Sequence, residues 1–122
     1  MTAVAFRLVT PMGELHNSNH REHWAVVARK AAAMRSSARY TCAGLPRLTA
    51  PVALVVTFAW PDRRRRDLDN VAIKAAIDGA VDAGVIPDDG STVLRSVTRE
   101  CADTLAPKGY VVLTFTFTDG AA

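Results

Sequence analysis

The chain has 122 residues, enough for one hydrophobic core and too short for two domains of ordinary size. It is 49% hydrophobic against 22% charged, which excludes a disordered chain, and its longest apolar stretch, Val52 to Trp60, is about half of the roughly 20 residues that cross a bilayer. A formal net charge of +3 and an isoelectric point near 9.2 lean towards a polyanionic partner, with a weight that depends on where the arginines sit.

In chain order, Val4, Phe6 and Leu8 alternate with Ala5, Arg7 and Val9, the period of two of a first strand ended by Thr10, Pro11 and Gly13. The same N-terminal stretch, MTAVAFRLVT, lacks the basic-then-apolar order of an export signal, so the cytoplasm is the expected compartment. Asn19 followed by Glu22 has capping-box spacing, and Trp24, Val27, Ala28, Ala31, Met34 and Ala38 then recur on one helical face, predicting a helix from Asn19 to about Arg39. After a loop rich in Gly, Pro and Thr, Val52 to Trp60 is apolar at nearly every position, the pattern of a strand buried on both faces. Asp69 is placed to cap a second helix whose apolar residues are Val71, Ile73, Ile77, Ala80 and Val81, and Gly84 stops it. Ile86 to Gly90 reads as a turn, Val93 to Cys101 alternates weakly, and Tyr110 to Thr118 alternates cleanly. Cys42 and Cys101 are too few and too far apart for a disulfide framework and are expected as small core residues. The order strand, helix, strand, helix, strand, strand predicts an α+β fold: a single domain over residues 1–122, with a mixed sheet of about four strands, two helices packed on one side, and short flexible ends at 1–3 and 119–122.

The chemistry concentrates in Pro61 to Asn70, PDRRRRDLDN. If this segment is extended, Asp67 and Asp69 point the same way and Leu68 points to the core. Two ionised carboxylates that close repel by about 4 kcal/mol at an effective dielectric of 20, so a divalent cation between them is favoured; oxygen-only ligation selects magnesium or manganese over zinc. Arg63, Arg64, Arg65 and Arg66 would set guanidinium groups beside that cation, able to fork onto phosphate oxygens. The alternative role of these residues is a surface ion-pair network with Asp69 as a helix cap, but four adjacent like charges repel unless a polyanion screens them.

PDRRRRDLDN, the Lys-bearing stretch ending in KAAIDGAVDAG, and VIPDDG follow one another in an order that resembles the RusA family of Holliday junction resolvases; HNSNHREHW resembles the start of the first helix in the phage and actinobacterial branch. The resemblance spans about two thirds of the chain. It implies a RusA-like fold and a magnesium-dependent crossover junction endodeoxyribonuclease, a homodimer in a bacterial cell or phage-infected host. Such an enzyme binds four-way junction DNA and resolves it by paired nicks in recombination and repair. No membrane or small-molecule cofactor belongs to that picture. Asp67, Asp69 and Asp89 match the family's three essential carboxylates, catalytic and metal-binding, with Asp88 as neighbour. Lys74 matches its catalytic lysine, although here it follows Asp69 by five residues and Ile73 holds the family's offset of four. Asn17, Asn19, Arg21 and Lys30 join the four arginines as candidate DNA contacts, with His20 and His23 nearby.

Two other functions fit the same residues. His16, His20 and His23 could bind zinc with a fourth ligand, and a basic dimer could cover branched DNA or structured RNA and cut nothing. Geometry also bears on the site. A helix from Asp69 to Ala83 advances about 21 Å, nearly the full reach of the six steps back to Asp89. A cluster within one chain therefore needs a straight return, a shorter helix or a bent one; otherwise Asp89 meets Asp67 and Asp69 of the partner chain across the dimer axis.

Overall fold

The chain forms four strands, β1 (Ala3–Pro11), β2 (Val52–Ala59), β3 (Leu94–Cys101) and β4 (Tyr110–Asp119), and two helices, α1 (Trp24–Cys42) and α2 (Lys74–Asp82); burial alternates with a period of two along β1, β2 and β4, and β3 is mostly exposed. The structure, a computed structural model, describes residues 2–120. The strands form one mixed sheet in the order β1-β4-β2-β3. β4 lies antiparallel to both β1 and β2, with Phe6 opposite Phe115 and Val56 opposite Phe115 on its other side. β2 and β3 run parallel, a pairing that needs a crossover, and α2 lies within that crossover. The expected α+β architecture is the observed one.

One face of the sheet carries the core. Val4, Phe6 and Leu8 of β1, Val52, Leu54, Val56 and Phe58 of β2, and Val111, Leu113, Phe115 and Phe117 of β4 are buried against Met34, Ala38 and Cys42 of α1 and Ala76, Ile77 and Ala80 of α2. Phe6 stacks on Phe115 with ring centroids 4.8 Å apart, and Phe58 stacks on Trp60. β2 is not buried on both faces as its composition suggests: Ala53, Val55, Thr57 and Ala59 are half-exposed, because both helices cover the opposite face. Small and β-branched residues satisfy a strand flanked on both sides without needing a second layer.

The helices start later than their sequence signals. α1 begins at Trp24, with the His23 side chain accepting the Ala25 N–H as cap. Asn19 and Glu22 form no capping box: the Asn17 side chain accepts the Asn19 N–H, and Glu22 is drawn off into ion pairs. Only Met34, Ala38 and Cys42 are buried, at intervals of four, so α1 meets the core through its C-terminal half. The expected apolar face is covered only in part, since Trp24, Ala28 and Ala31 are exposed. α2 begins at Lys74, and Gly84, at φ +84, ends it in the left-handed conformation expected of a helix stop. Cys42 is buried as expected, and burial pushes its thiol up to about 11; Cys101, on the edge strand β3, is exposed instead. The chain ends expected to be flexible include tied residues, since the Thr2 N–H donates to the Asp119 carboxylate and the Asp119 N–H to the Thr2 carbonyl. Residues 1, 121 and 122 lie outside the described residues. No helix among the described residues is long and apolar enough to cross a membrane.

The two helices touch at Gly79, where a Cβ would lie 2.5 Å from the Arg35 carbonyl oxygen and 2.6 Å from the Ala38 Cβ. Backbone cannot swing aside as a flexible side chain can. Gly79→Ala should therefore lose about 2 kcal/mol in urea unfolding despite alanine's better helix propensity, whereas Gly13→Ala, with open space around it, should be close to neutral. A stabilised Gly79→Ala protein would contradict the observed helix contact.

Candidate functional site

The segment between β2 and α2 does not extend. The Asp62 side chain accepts the Arg64 N–H, bending the chain at the start of the arginine run, and Leu68–Asn70 form a single 3₁₀ turn. Asp67 caps that turn: its Oδ1 accepts the Asp69 N–H at 3.0 Å and its Oδ2 accepts the Asn70 side-chain amide at 2.7 Å. A 3₁₀ turn rotates about 120° per residue, so Asp67 and Asp69 do not share the face that an extended segment would give them. Leu68 packs against the core as expected. Asp69 caps the second helix no more than it pairs with Asp67, because Val71 to Ile73 separate it from Lys74.

Two remote pieces of chain hold this turn. His16 to Ser18 pairs with Asn70 to Ala72 as a short antiparallel bridge, the Ser18 N–H donating to the Asn70 carbonyl at 2.7 Å and the Ala72 N–H to the His16 carbonyl at 2.9 Å. From β3, Arg99 Nη1 donates to the carbonyls of Leu68 and Val71, each at 2.7 Å, bracketing Asp69 and Asn70. An open groove of about 450 Å³ lies beside the turn, with Ser18, Asp69, Lys74, Ile77, Val97 and Arg99 in its walls.

Lys74 stands at the first position of α2 and its side chain is exposed, while Ile73, at the offset of four, is buried. The extended residues between Asp69 and the helix remove the 100° mismatch that one continuous helix would impose, and Lys74 faces the same groove as Asp69. Its ammonium donates to Asp78 at 2.6 Å and to Asp89 at 2.5 Å. Asp89 thus returns to the start of its own helix, which the shorter helix permits: from Lys74 to Asp82 the advance is only about 12 Å. The hydrogen bond from Lys74 holds the Asp89 carboxyl below its ordinary value, and the two carboxylates hold the Lys74 ammonium above its own. Asp88 shapes the turn, accepting the Gly90 N–H.

Arg63, Arg64 and Arg65 are exposed, with the Arg64 side chain at 79%. Arg66 differs. Its guanidinium lies over the Trp60 ring, 4.9 Å from the centroid, and donates to Asp62 at 2.7 Å, so it anchors the run instead of displaying itself beside Arg64. Lys30 is likewise committed, only 10% exposed and 2.7 Å from Glu22, whose other oxygen meets His16 Nδ1 at 2.8 Å; the Lys30 and His16 hydrogen bonds hold the Glu22 carboxyl below its ordinary value. Asn17 lies in the bridge to Val71, and Asn19, His20 and Arg21 are exposed. His16 and His23 serve separate contacts, as a partner of Glu22 and as a helix cap.

Among the described residues no group of three His, Cys, Asp or Glu side chains is placed to hold a metal ion. Both Asp67 oxygens serve the turn and Asp89 is taken by Lys74, so Asp67, Asp69 and Asp89 do not present a completed oxygen site for magnesium. No sequence signal marks Arg99, which sits in TRECADT without a motif, or Glu22 as the link between His16 and Lys30. The chain matches no protein-family model, and a search of curated proteins finds no match.

Two outcomes follow from these contacts. Arg66→Ala should lower the melting temperature by removing an ion pair and a ring contact together, while Arg64→Ala should leave it unchanged. Equal effects would mean that Arg66 is as loosely held as its neighbour. The Asp89 contact has its own pH signature: a carboxyl lowered from 3.8 by Lys74 contributes its stability above that pH and loses it as the pH falls through the lower folded value. The stability difference between the wild type and Asp89→Asn should hold constant from pH 5 to 8 and shrink below about pH 4. A difference that grows on acidification would reverse the assignment.

Proposed function

We propose that the chain is a structure-selective endodeoxyribonuclease that binds four-way DNA junctions as a homodimer and resolves them by paired nicks. The observation that carries it is the DLDN turn, gripped by His16 to Ser18 and by Arg99, which sets Asp69 and Lys74 into one groove, with three exposed arginines just before the turn in the chain. Arg63 to Arg65 would take phosphates of the strand entering the site. Asp69, the one carboxylate of the expected three with no side-chain hydrogen bond among the described residues, is the group at hand to orient or deprotonate an attacking water. Lys74 in the same groove would counter charge developing on the phosphorus oxygens. Products with a 5′ phosphate and a 3′ hydroxyl would leave nicks that a ligase can seal. A junction has twofold symmetry, and two sites in a dimer deliver both nicks in one encounter. Magnesium, with manganese as its substitute, is what the paired carboxylates and the RusA resemblance imply, although the described residues present no completed site for it.

A second reading, a basic dimer that binds branched DNA or structured RNA without cutting, draws support from the same carboxylates, since Asp67 caps a turn and Asp89 pairs with Lys74. A labelled synthetic four-way junction, incubated with and without magnesium and mapped on all four strands, separates the two. Paired nicks on opposing strands only with magnesium support the resolvase; magnesium-independent binding with intact strands supports the binding module.

Asparagine can still accept the Asp69 N–H, so Asp67→Asn keeps the turn while removing charge. Asp67→Asn and Asp69→Asn should each abolish nicking and keep or strengthen junction binding, because less negative charge then lies near the arginines. Binding lost in proportion to cutting would assign the aspartates to DNA affinity or to folding.

A further inference from the structure

Arg99 is tied to the turn by one nitrogen only. Nη1 makes both carbonyl contacts, and no other hydrogen bond among the described residues uses Nε or Nη2. No ion pair among those residues includes Arg99 either. The neighbouring acid in sequence, Glu100, alternates to the other face of β3. The guanidinium is half-buried, so part of its hydration is gone and carbonyl dipoles alone offset its charge. A carboxylate is the usual neutraliser in that position, and the fork of an arginine is matched equally well by a phosphate. Of the two cations in the groove walls, Lys74 is shared between Asp78 and Asp89, which leaves Arg99 as the uncommitted one.

We propose that Arg99 is a phosphate-binding residue: Nη1 clamps the turn that carries Asp69, and the remaining donors take a backbone phosphate of DNA lying in the groove. The proposal rests on the DNA-acting function above and adds to it a contact outside the arginine run. It joins two roles in one side chain, since a phosphate that engages Arg99 is thereby set at a fixed distance from the turn that Arg99 holds. Ser18, on the opposite clamp, closes the same groove, so the phosphate would sit between the two pieces of chain that position Asp69.

The test compares Arg99→Lys and Arg99→Gln with the wild type on a four-way junction and on a linear duplex of the same length, without magnesium and over a range of salt. Circular dichroism checks folding, and amide spectra of Asp69 to Ala72 report the turn. Expected are a roughly tenfold loss of affinity for both DNAs in Arg99→Gln, a salt dependence flatter by about one phosphate contact, and a smaller loss in Arg99→Lys with the turn amides in place. An unchanged salt slope in a folded Arg99→Gln protein overturns the phosphate contact and leaves Arg99 as a clamp alone. Should Arg99→Gln fail to fold, a loss of affinity in Arg99→Lys with a native turn spectrum supports the phosphate contact, whereas wild-type affinity in Arg99→Lys overturns it and leaves Arg99 as a clamp alone. Equal binding of both DNAs without any nicking on magnesium addition would overturn the resolvase while the slope still scores Arg99. No binding of either DNA by the wild type overturns both.

Discussion

The site depends on a grip that lies outside any regular element: the backbone pairing of His16 to Ser18 with Asn70 to Ala72, closed from the other side by Arg99. The chain between β2 and α2 contains one 3₁₀ turn and no strand or long helix of its own. A single such turn has no cooperative stability in water, and here it is fixed by partners at least 28 residues away in sequence. The same pairing satisfies backbone donors and acceptors that would otherwise face the rim of the core unpaired. It also bears on where α2 starts, since Val71 is held extended in the bridge and Val71 and Ile73 are buried before Lys74 turns into helix.

Core and site divide the labour between them. Among the described residues no polar or charged residue is fully buried, so the aromatic and aliphatic side chains of one sheet face and two helices carry the stability. The charges are left at the rim, where they work in pairs: Arg35 with Asp82 between the helices, Arg29 with Glu14 at the end of β1, Lys74 with Asp78 and Asp89 at the start of α2. Exposed pairs of this kind add little to stability and can be exchanged for a ligand at small cost. Arg63 to Arg65 stand out against that pattern because, among the described residues, Arg64 alone of the three approaches a carboxylate, Asp62 at 3.9 Å.

The sheet was legible in the sequence because burial on one face imposes a period of two, and β1 and β4 show it without interruption. The helix starts were not. Asn19 with Glu22 and Asp69 before an apolar run satisfy local capping rules, but a residue distant in sequence competes for each segment: Lys30 for Glu22, and the bridge to His16 for the segment after Asp69. Arg66 could have been told from Arg64 only through Trp60, six residues earlier, the one aromatic ring close enough to stack a guanidinium. Arg99 had no local signal at all, because its partners are backbone carbonyls and carbonyls carry no sequence. Spacing alone leaves open whether Asp89 meets Asp67 and Asp69 within one chain or across two; the shorter helix brings Asp89 to Lys74 of its own chain.

A resolvase and a silent binder would both depend on the same gripped turn. Amide hydrogen exchange followed residue by residue in the DNA-free protein tests that grip most directly. The Ser18 and Ala72 amides, each hydrogen-bonded across the bridge, should exchange orders of magnitude more slowly than the amides of the exposed residues Arg21 and Arg65, which make no hydrogen bond among the described residues. Exchange of Ser18 and Ala72 at the unprotected rate would show an ungripped segment and contradict the arrangement on which the site is built.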